Sequence, residues 1–312
     1  MIYLDHAATT PVAREVADTM YDVLLNGSGN PSSQYPYGAA AKKRLEADRA
    51  VIAAALGCKP DELYFTSCGT ESDNWAIRLA AHQNRRVGKH IITTAVEHSA
   101  VLEPCKQLEQ EGYAVTYLAP DRQGNITAQQ VADALREDTA LVSVMLVNNE
   151  TGCVFPVGEI ARLLRERGSK ALLHTDAVQA FLKLPFRADT LGADLISVSG
   201  HKLNAPKGVG ALYIGPRCRA VRPLLAGGGQ ERGLRSGTEA TGTGKGQKLL
   251  FARGERVAAL ADVGVIAVRQ TGDDLVGGDG LYSRFDLVHR RVGPAVAQVL
   301  QNCAGKQMRR LQ

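Results

Sequence analysis

The chain has 312 residues, 45% of them hydrophobic and 22% charged, which is the balance of a globular protein long enough to bury a sizeable core. Residues 241–312 hold 11 lysines and arginines against 6 acids and so carry the whole net charge of +5, while residues 1–240 balance at 26 against 26, which argues against a basic nucleic-acid groove. The sequence shows no apolar run near the ~20 residues that cross a bilayer, no basic-then-apolar start and no CxxC pair among its six cysteines. A cytoplasmic protein with reduced thiols is therefore expected, with no metal and no membrane or nucleic-acid partner.

In chain order, β-rich runs are predicted at Glu62–Thr66, His90–Thr94, Val115–Leu118, Leu141–Val147, Ala171–Thr175, Leu195–Val198 and Gly210–Ile214. Between them, Val131-Ala132-Asp133-Ala134-Leu135 and Ile160-Ala161-Arg162-Leu163-Leu164 space apolar residues three and four apart, as amphipathic helices do. This alternation predicts an α/β fold with a mainly parallel seven-stranded sheet sandwiched by helices. From Gly242-Thr243-Gly244-Lys245-Gly246 onward the pattern fades. We place a boundary there: residues 1–240 form a large domain, and residues 241–312 a divergent tail that is either disordered or a partial small domain. Within the tail, Val257–Val268 reads as helix or strand and Gly293–Leu300 as a short helix.

Ligands of such sheets sit beyond the carboxyl ends of the strands, and the residues there are unusually polar. Thr66-Ser67-Cys68-Gly69-Thr70-Glu71, Glu97-His98, Asn148-Asn149-Glu150, Asp176 to Gln179, and Ser199-Gly200-His201-Lys202 each follow a predicted strand. Lys202 would offer an amine at the ligand-binding edge, although a lone lysine is more often a solvated surface group. Asp176 could hold a proton on a heterocyclic nitrogen or simply cap the next helix. Gln179, on the same turn, could reach a ring oxygen. Gly69 and Thr70 precede a helical segment, where free amides bind an anion or a threonine merely caps. His98 could stack on a ring and move a proton, or be structural. Together these parts are what a pyridoxal 5'-phosphate (PLP) site requires.

The sequence resembles the NifS/IscS cysteine desulfurase family, a branch of the fold type I, class-V aminotransferase-like PLP enzymes. The resemblance rests on Tyr3-Leu4-Asp5-His6-Ala7-Ala8-Thr9-Thr10-Pro11, Asn30-Pro31-Ser32-Ser33, Phe65 to Asn74, Glu97-His98, Val147 to Gly152, Ser199-Gly200-His201-Lys202 and Gly227 to Thr238, in family order over residues 1–240. It implies that Lys202 is the Schiff-base lysine, His98 the ring-stacking acid/base and Asp176 the pyridine-nitrogen partner. Asn149 and Gln179 are implied at the ring hydroxyl, and Gly69, Thr70, Ser199 and His201 in the phosphate cradle. Thr238 is implied as a phosphate contact supplied by the second subunit of a homodimer, and Asn30 as a residue near the substrate carboxylate. The implied reaction removes sulfur from L-cysteine, giving alanine and a persulfide for a sulfur acceptor or iron–sulfur scaffold protein.

The sequence departs from the family late in the chain. A Ser-x-x-Ala-Cys loop carrying the sulfur-accepting thiol and an Ile-Arg-Phe-Ser segment that clamps the substrate carboxylate are both missing. Cys303 is the only cysteine beyond residue 218, in surroundings unlike that loop. A shifted reading frame or rearranged gene end from about residue 241 would account for the break. It leaves as the alternative a PLP-binding pseudoenzyme or interaction protein without desulfurase activity, and, as a third reading, a selenocysteine lyase or aminotransferase of the same fold.

Overall fold

A computed structural model describes residues 2–241, apart from Ser28 and Ala220. The domain boundary and the helix and strand expected in the tail lie at or beyond the end of the described residues. Two helices lead the chain, α1 (Arg14–Asn26) and α2 (Pro36–Leu56). The second starts with Pro36, whose missing amide would be unpaired in a first turn anyway, and stops at Gly57, which turns left-handed at φ 76°.

The strands that follow are β1 (Leu63–Thr66), β2 (His90–Thr94), β3 (Ala114–Leu118), β4 (Thr139–Ser143), β5 (Leu172–Asp176), β6 (Leu195–Ser199) and β7 (Gly210–Ile214). They form one sheet in the order β1-β7-β6-β5-β4-β2-β3. Neighbours run parallel from β3 through β6, and β7 is antiparallel to both β6 and β1. Helices α3 (Gly69–Gln83), α4 (Ser99–Gln110), α5 (Ala128–Ala134), α6 (Val157–Glu166) and the short α7 (Ala188–Leu191) supply the crossovers and cover the faces. The expected mainly parallel seven-stranded α/β sheet is therefore present.

Alternation along the strands divides the core. Ile91, Leu141, Leu172, Leu195 and Leu212 pack with Trp75, Leu79 and Val101 of α3 and α4. Ile92, Val142, Leu173, Ile196 and Ala211 pack on the other face with Ile52, Ile160 and Leu164 of α2 and α6. One boundary differs from expectation. The strand read as Leu141–Val147 is Thr139–Ser143, and the chain after it leaves regular pairing, although the Val144 and Leu146 amides still donate to the carbonyls of His174 and Asp176. Apolar residues continue on both sides of Ser143, so composition did not single it out as the place where pairing stops.

The segment after β7 is tied back by a buried ion pair. Arg49 donates to Glu231 through Nη1 and Nη2, each at 2.8 Å, with side chains only 2% and 1% exposed. Glu231 also accepts from the Phe65 amide at 2.8 Å, and Arg49 donates to the Leu63 carbonyl, so α2, β1 and the glycine-rich segment meet at one carboxylate. Glu231 and Arg232 both adopt left-handed backbone, at φ 48° and 58°, a strained pair that the ion pair holds in place. Glu231→Ala leaves the buried guanidinium only the half-exposed Glu46 as an acidic partner and is expected to cost ~3–5 kcal/mol in urea unfolding. A loss under ~1 kcal/mol would show that water or another acid replaces the pair.

Candidate active site

On the face covered by α3, the strands change character from one end to the other. Leu141, Leu172 and Leu195 give way two residues on to Ser143, His174 and Ser197, and then to Asp176 and Ser199 at the carboxyl edge. Period-two alternation keeps each series on one face, and the register pairs Ser143 with His174 and Asp176 with Ser197. His174 shares a hydrogen bond with Ser143 Oγ through Nδ1 at 2.8 Å and with Ser197 Oγ through Nε2 at 3.1 Å. Its Nε2 also lies 3.5 Å from Asp73 Oδ1 on α3. Burial pulls His174 down to about 4, so the ring is neutral near pH 7. Asp73, bonded to Ser197, is pushed up to about 7 by the same desolvation.

Asp176 is buried at the end of β5, where Oδ1 accepts from the Val178 amide at 2.8 Å. That bond closes a turn, and the next helix, α7, starts only at Ala188, so Asp176 does not serve as the helix cap that its position allowed. Desolvation, with the Asp73 carboxyl adding repulsion, pushes Asp176 up to about 7. His98 is exposed at the N-cap of α4 and accepts the Ala100 amide on Nδ1 at 3.1 Å, which leaves Nε2 as the proton-bearing edge. Its electrostatic influence reaches Asp176 and His201.

Lys202 ends a single 3-10 turn, Gly200–Lys202, and donates to the carbonyls of Ala7 and, at 2.7 Å, Ala8. Desolvation lowers its pKa against the opposing pull of Asp5, Asp176 and Glu150. Gln179 donates to the same Ala7 carbonyl at 2.9 Å, so the N-terminal segment, Lys202 and Gln179 meet there. His201 shares a hydrogen bond with Thr9 Oγ1 through Nδ1 at 3.2 Å.

Gly69 opens α3 directly beneath Ser199. A β-carbon there would stand 3.0 Å from Val178 Cγ2 and 3.4 Å from Ser199 Cβ. Thr70 follows on the exposed first turn. Ser199 Oγ is buried with no hydrogen-bond partner, an unmet polar atom beside the amides of a helix N-terminus. Three expected site residues are less integrated. Asn149 donates to its neighbour Glu150, Asn30 accepts from the Ser32 amide within its own turn, and Thr238 is exposed on the rim of a ~130 Å³ cavity lined also by Thr66, Ser67 and Arg235.

Four groups close to this cluster had no assigned role from sequence: Asp73, His174, Glu97 and Lys183. Lys183 donates to Gln179 Oε1 at 3.2 Å and is lowered to about 8 by desolvation and the Lys202 charge. It orients the Gln179 amide, so that Nε2 faces Ala7. The signal available was spacing, since Gln179 and Lys183 are four residues apart.

The aminotransferase class-V family model matches residues 2–249. The chain belongs to that family. Its relatives include cysteine desulfurase 2 of Trichormus variabilis, 51% identical over 241 residues, which are 77% of this chain and 59% of the relative. Cysteine desulfurase IscS of Shewanella halifaxensis is 44% identical over 291 residues, covering 89% of this chain and 71% of that one. Among solved structures, a NifS-like protein superposes with a TM-score of 0.80 at 39% identity over 83% of this chain and 71% of its own. SspA in complex with cysteine gives 0.75 at 40% identity over 81% and 72%. The chain thus spans about three-fifths of the length of several curated relatives it matches, 59% for the Trichormus protein. Family members are PLP-dependent, and the residues here are of a kind to suit such a group: a buried carboxyl at Asp176, the Lys202 amine, and, at the N-terminus of α3, an unmet Ser199 hydroxyl beside the bare Gly69 backbone.

The two serines of β6 separate structure from ligand binding. In cofactor-free protein, Ser197→Ala strips a shared partner from His174 and Asp73 and is expected to cost ~1–3 kcal/mol in urea unfolding. Ser199→Ala removes a hydroxyl that bonds to nothing and is expected to cost under ~0.5 kcal/mol. Equal costs would mean that Ser199 is already satisfied within the fold.

Proposed function

We propose that this chain binds PLP and acts as a cysteine desulfurase, taking sulfur from L-cysteine to leave alanine. The observation that carries the reading is the convergence of Lys202, Asp176, His98, Ser199 and Gly69 at the carboxyl edge of one parallel sheet, in a chain whose relatives are named for that activity. The sulfur would pass as a persulfide to an acceptor or iron–sulfur scaffold protein, and the working unit would be a homodimer. A cofactor-binding protein without desulfurase activity is the less favoured reading, because the relatives carry the enzyme's name. No helix among the described residues is long and apolar enough to cross a membrane.

PLP, when bound, supplies an electron sink that weakens the bonds around an amino acid's α-carbon. Lys202 would hold it covalently, with an amine that desolvation makes easier to deprotonate. Asp176 would hold a proton at the ring nitrogen, and that positive partner would draw the carboxyl back toward its ionised form. Ser199, His201 and the Gly69-Thr70 start of α3 would bind the phosphate, with Thr238 supplied from the partner subunit. Gln179, oriented by Lys183, and Asn149 would contact the ring hydroxyl, while His98 would carry a proton on Nε2 above the ring. Asn30 would sit near the substrate carboxylate.

Burial pushes Cys58, Cys105 and Cys218 up to about 12, which makes them poor nucleophiles. Cys68 and Cys153 are half-buried, and Cys303 lies outside the described residues. Residues 1–240 would be the cofactor domain and residues 241–312 the divergent tail.

Borohydride reduction of the purified protein is expected to fix PLP to Lys202, detectable by peptide mass spectrometry, and Lys202→Ala to abolish the adduct. An undiminished adduct in the variant overturns the lysine assignment. L-cysteine with a reductant is expected to yield alanine, and cofactor-loaded protein that releases none would reject the desulfurase reading.

A further inference from the structure

Glu97 has no role in the scheme above, yet it is built into the site more firmly than most residues that do. It is 6% exposed, and its Oε1 accepts from Thr94 Oγ1 and from the Met145 amide, each at 2.9 Å. Its Oε2 is sealed from solvent with no hydrogen-bond partner. The ionisable groups that act on it offer no compensating charge: Asp73 from α3 and Asp176 from β5 are carboxyls, and Cys105 from α4 is a thiol pushed up to about 12. His98, the next residue in the chain, spends Nδ1 on Ala100, and β4 and the turn after it present Ser143 and Met145. No ion pair among the described residues involves Glu97. A charge on Oε2 would stand alone in dry surroundings, where a carboxyl takes up a proton instead.

We propose that Glu97 is a positioning residue kept as a neutral carboxylic acid, which ties the turn bearing His98 to the segment bearing Asn149 and leaves ring-facing charge to Asp176. The Met145 end of this tie continues into Asp176 itself, because the next amide, Leu146, donates to the Asp176 carbonyl at 2.9 Å. Asn148 reinforces it by donating to the Val96 carbonyl at 2.8 Å. One carboxyl thereby sets the mutual placement of three elements assigned to the cofactor. The role in cofactor placement rests on the PLP reading, whereas the protonation state does not.

Burial, helped by Asp176 and Asp73, pushes Glu97 from 4.5 up to about 8. Between those values the unfolded chain has lost the proton and the folded chain keeps it. The stability that Glu97 contributes is therefore full below the lower value and is lost as pH rises through the upper one. Asp73 and Asp176 act in the same direction, so a difference between variants is needed to isolate Glu97.

Glu97→Gln keeps a carbonyl for both donors and removes the ionisable proton. In cofactor-free full-length protein, its melting temperature relative to wild type is expected to rise from about pH 5 to about pH 8. The infrared C=O band of protonated carboxylic acid at neutral pH is expected to shrink in the variant. In the loaded protein, Glu97→Gln is expected to retain borohydride-trapped PLP within about twofold, and Glu97→Ala to lose at least ~10-fold in PLP affinity. A flat melting difference with an unchanged infrared band overturns the proposal, as does a Gln variant no better than Ala at holding PLP. If the Ala variant does not fold, the Gln variant alone decides. Wild-type protein that traps no PLP would instead sink the cofactor reading and its positioning consequence, while the cofactor-free measurements still test the proton.

Discussion

Asp73, Glu97 and Asp176 reach one dry space from helix α3, the turn after β2 and the end of β5, with no lysine or arginine in ion-pair contact among the described residues. Three carboxyls so placed cannot all be charged, and the surrounding structure is organised by that limit. His174, held neutral between two serine hydroxyls 3.5 Å from Asp73 Oδ1, brings no counter-charge to that carboxyl. The cluster then has room for one anion, and a protonated ring nitrogen would select Asp176, which stands nearest the open edge of the sheet. A doubly basic or metal-centred ligand would meet a different balance of charge here.

Much of the scaffold was legible in the sequence because strands buried on both faces appear as short apolar runs bounded by polar turns. All seven strands fell where those runs predicted, within a residue or two, except that β4 stops at Ser143 rather than Val147. Strand order was not legible. Which runs become neighbours depends on how helices pack across the faces, and the insertion of β7 between β1 and β6 leaves no trace in local pattern.

For the site, position at a strand end made Lys202, Asp176, Ser199 and Gly69 readable, because topology alone delivers such residues to the ligand edge. Glu97, Asp73 and His174 lay inside the same motifs but gained meaning only through burial, which turns an ordinary carboxyl into a weak acid and an ordinary imidazole into a neutral spacer. Asn30 shows the reverse case. Its motif marked it, yet the side chain serves its own turn in this structure. Lys183 went unread because its effect passes through Gln179.

The union of Arg49 with Glu231 also says something about what counts as a folding unit. The guanidinium is enclosed by helix and sheet early in the chain, where the half-exposed Glu46 reaches its Nε at 3.1 Å, but its buried two-pronged partner arrives only after the last strand has been laid down, 182 residues later. A fragment cut just past β7 would contain every strand and most of the apolar core, and still leave the buried guanidinium with Glu46 alone as its acidic partner. The unit that fully pairs Arg49 therefore extends through the glycine-rich segment, so on a ribosome this tie between α2 and β1 would close only when that stretch emerges.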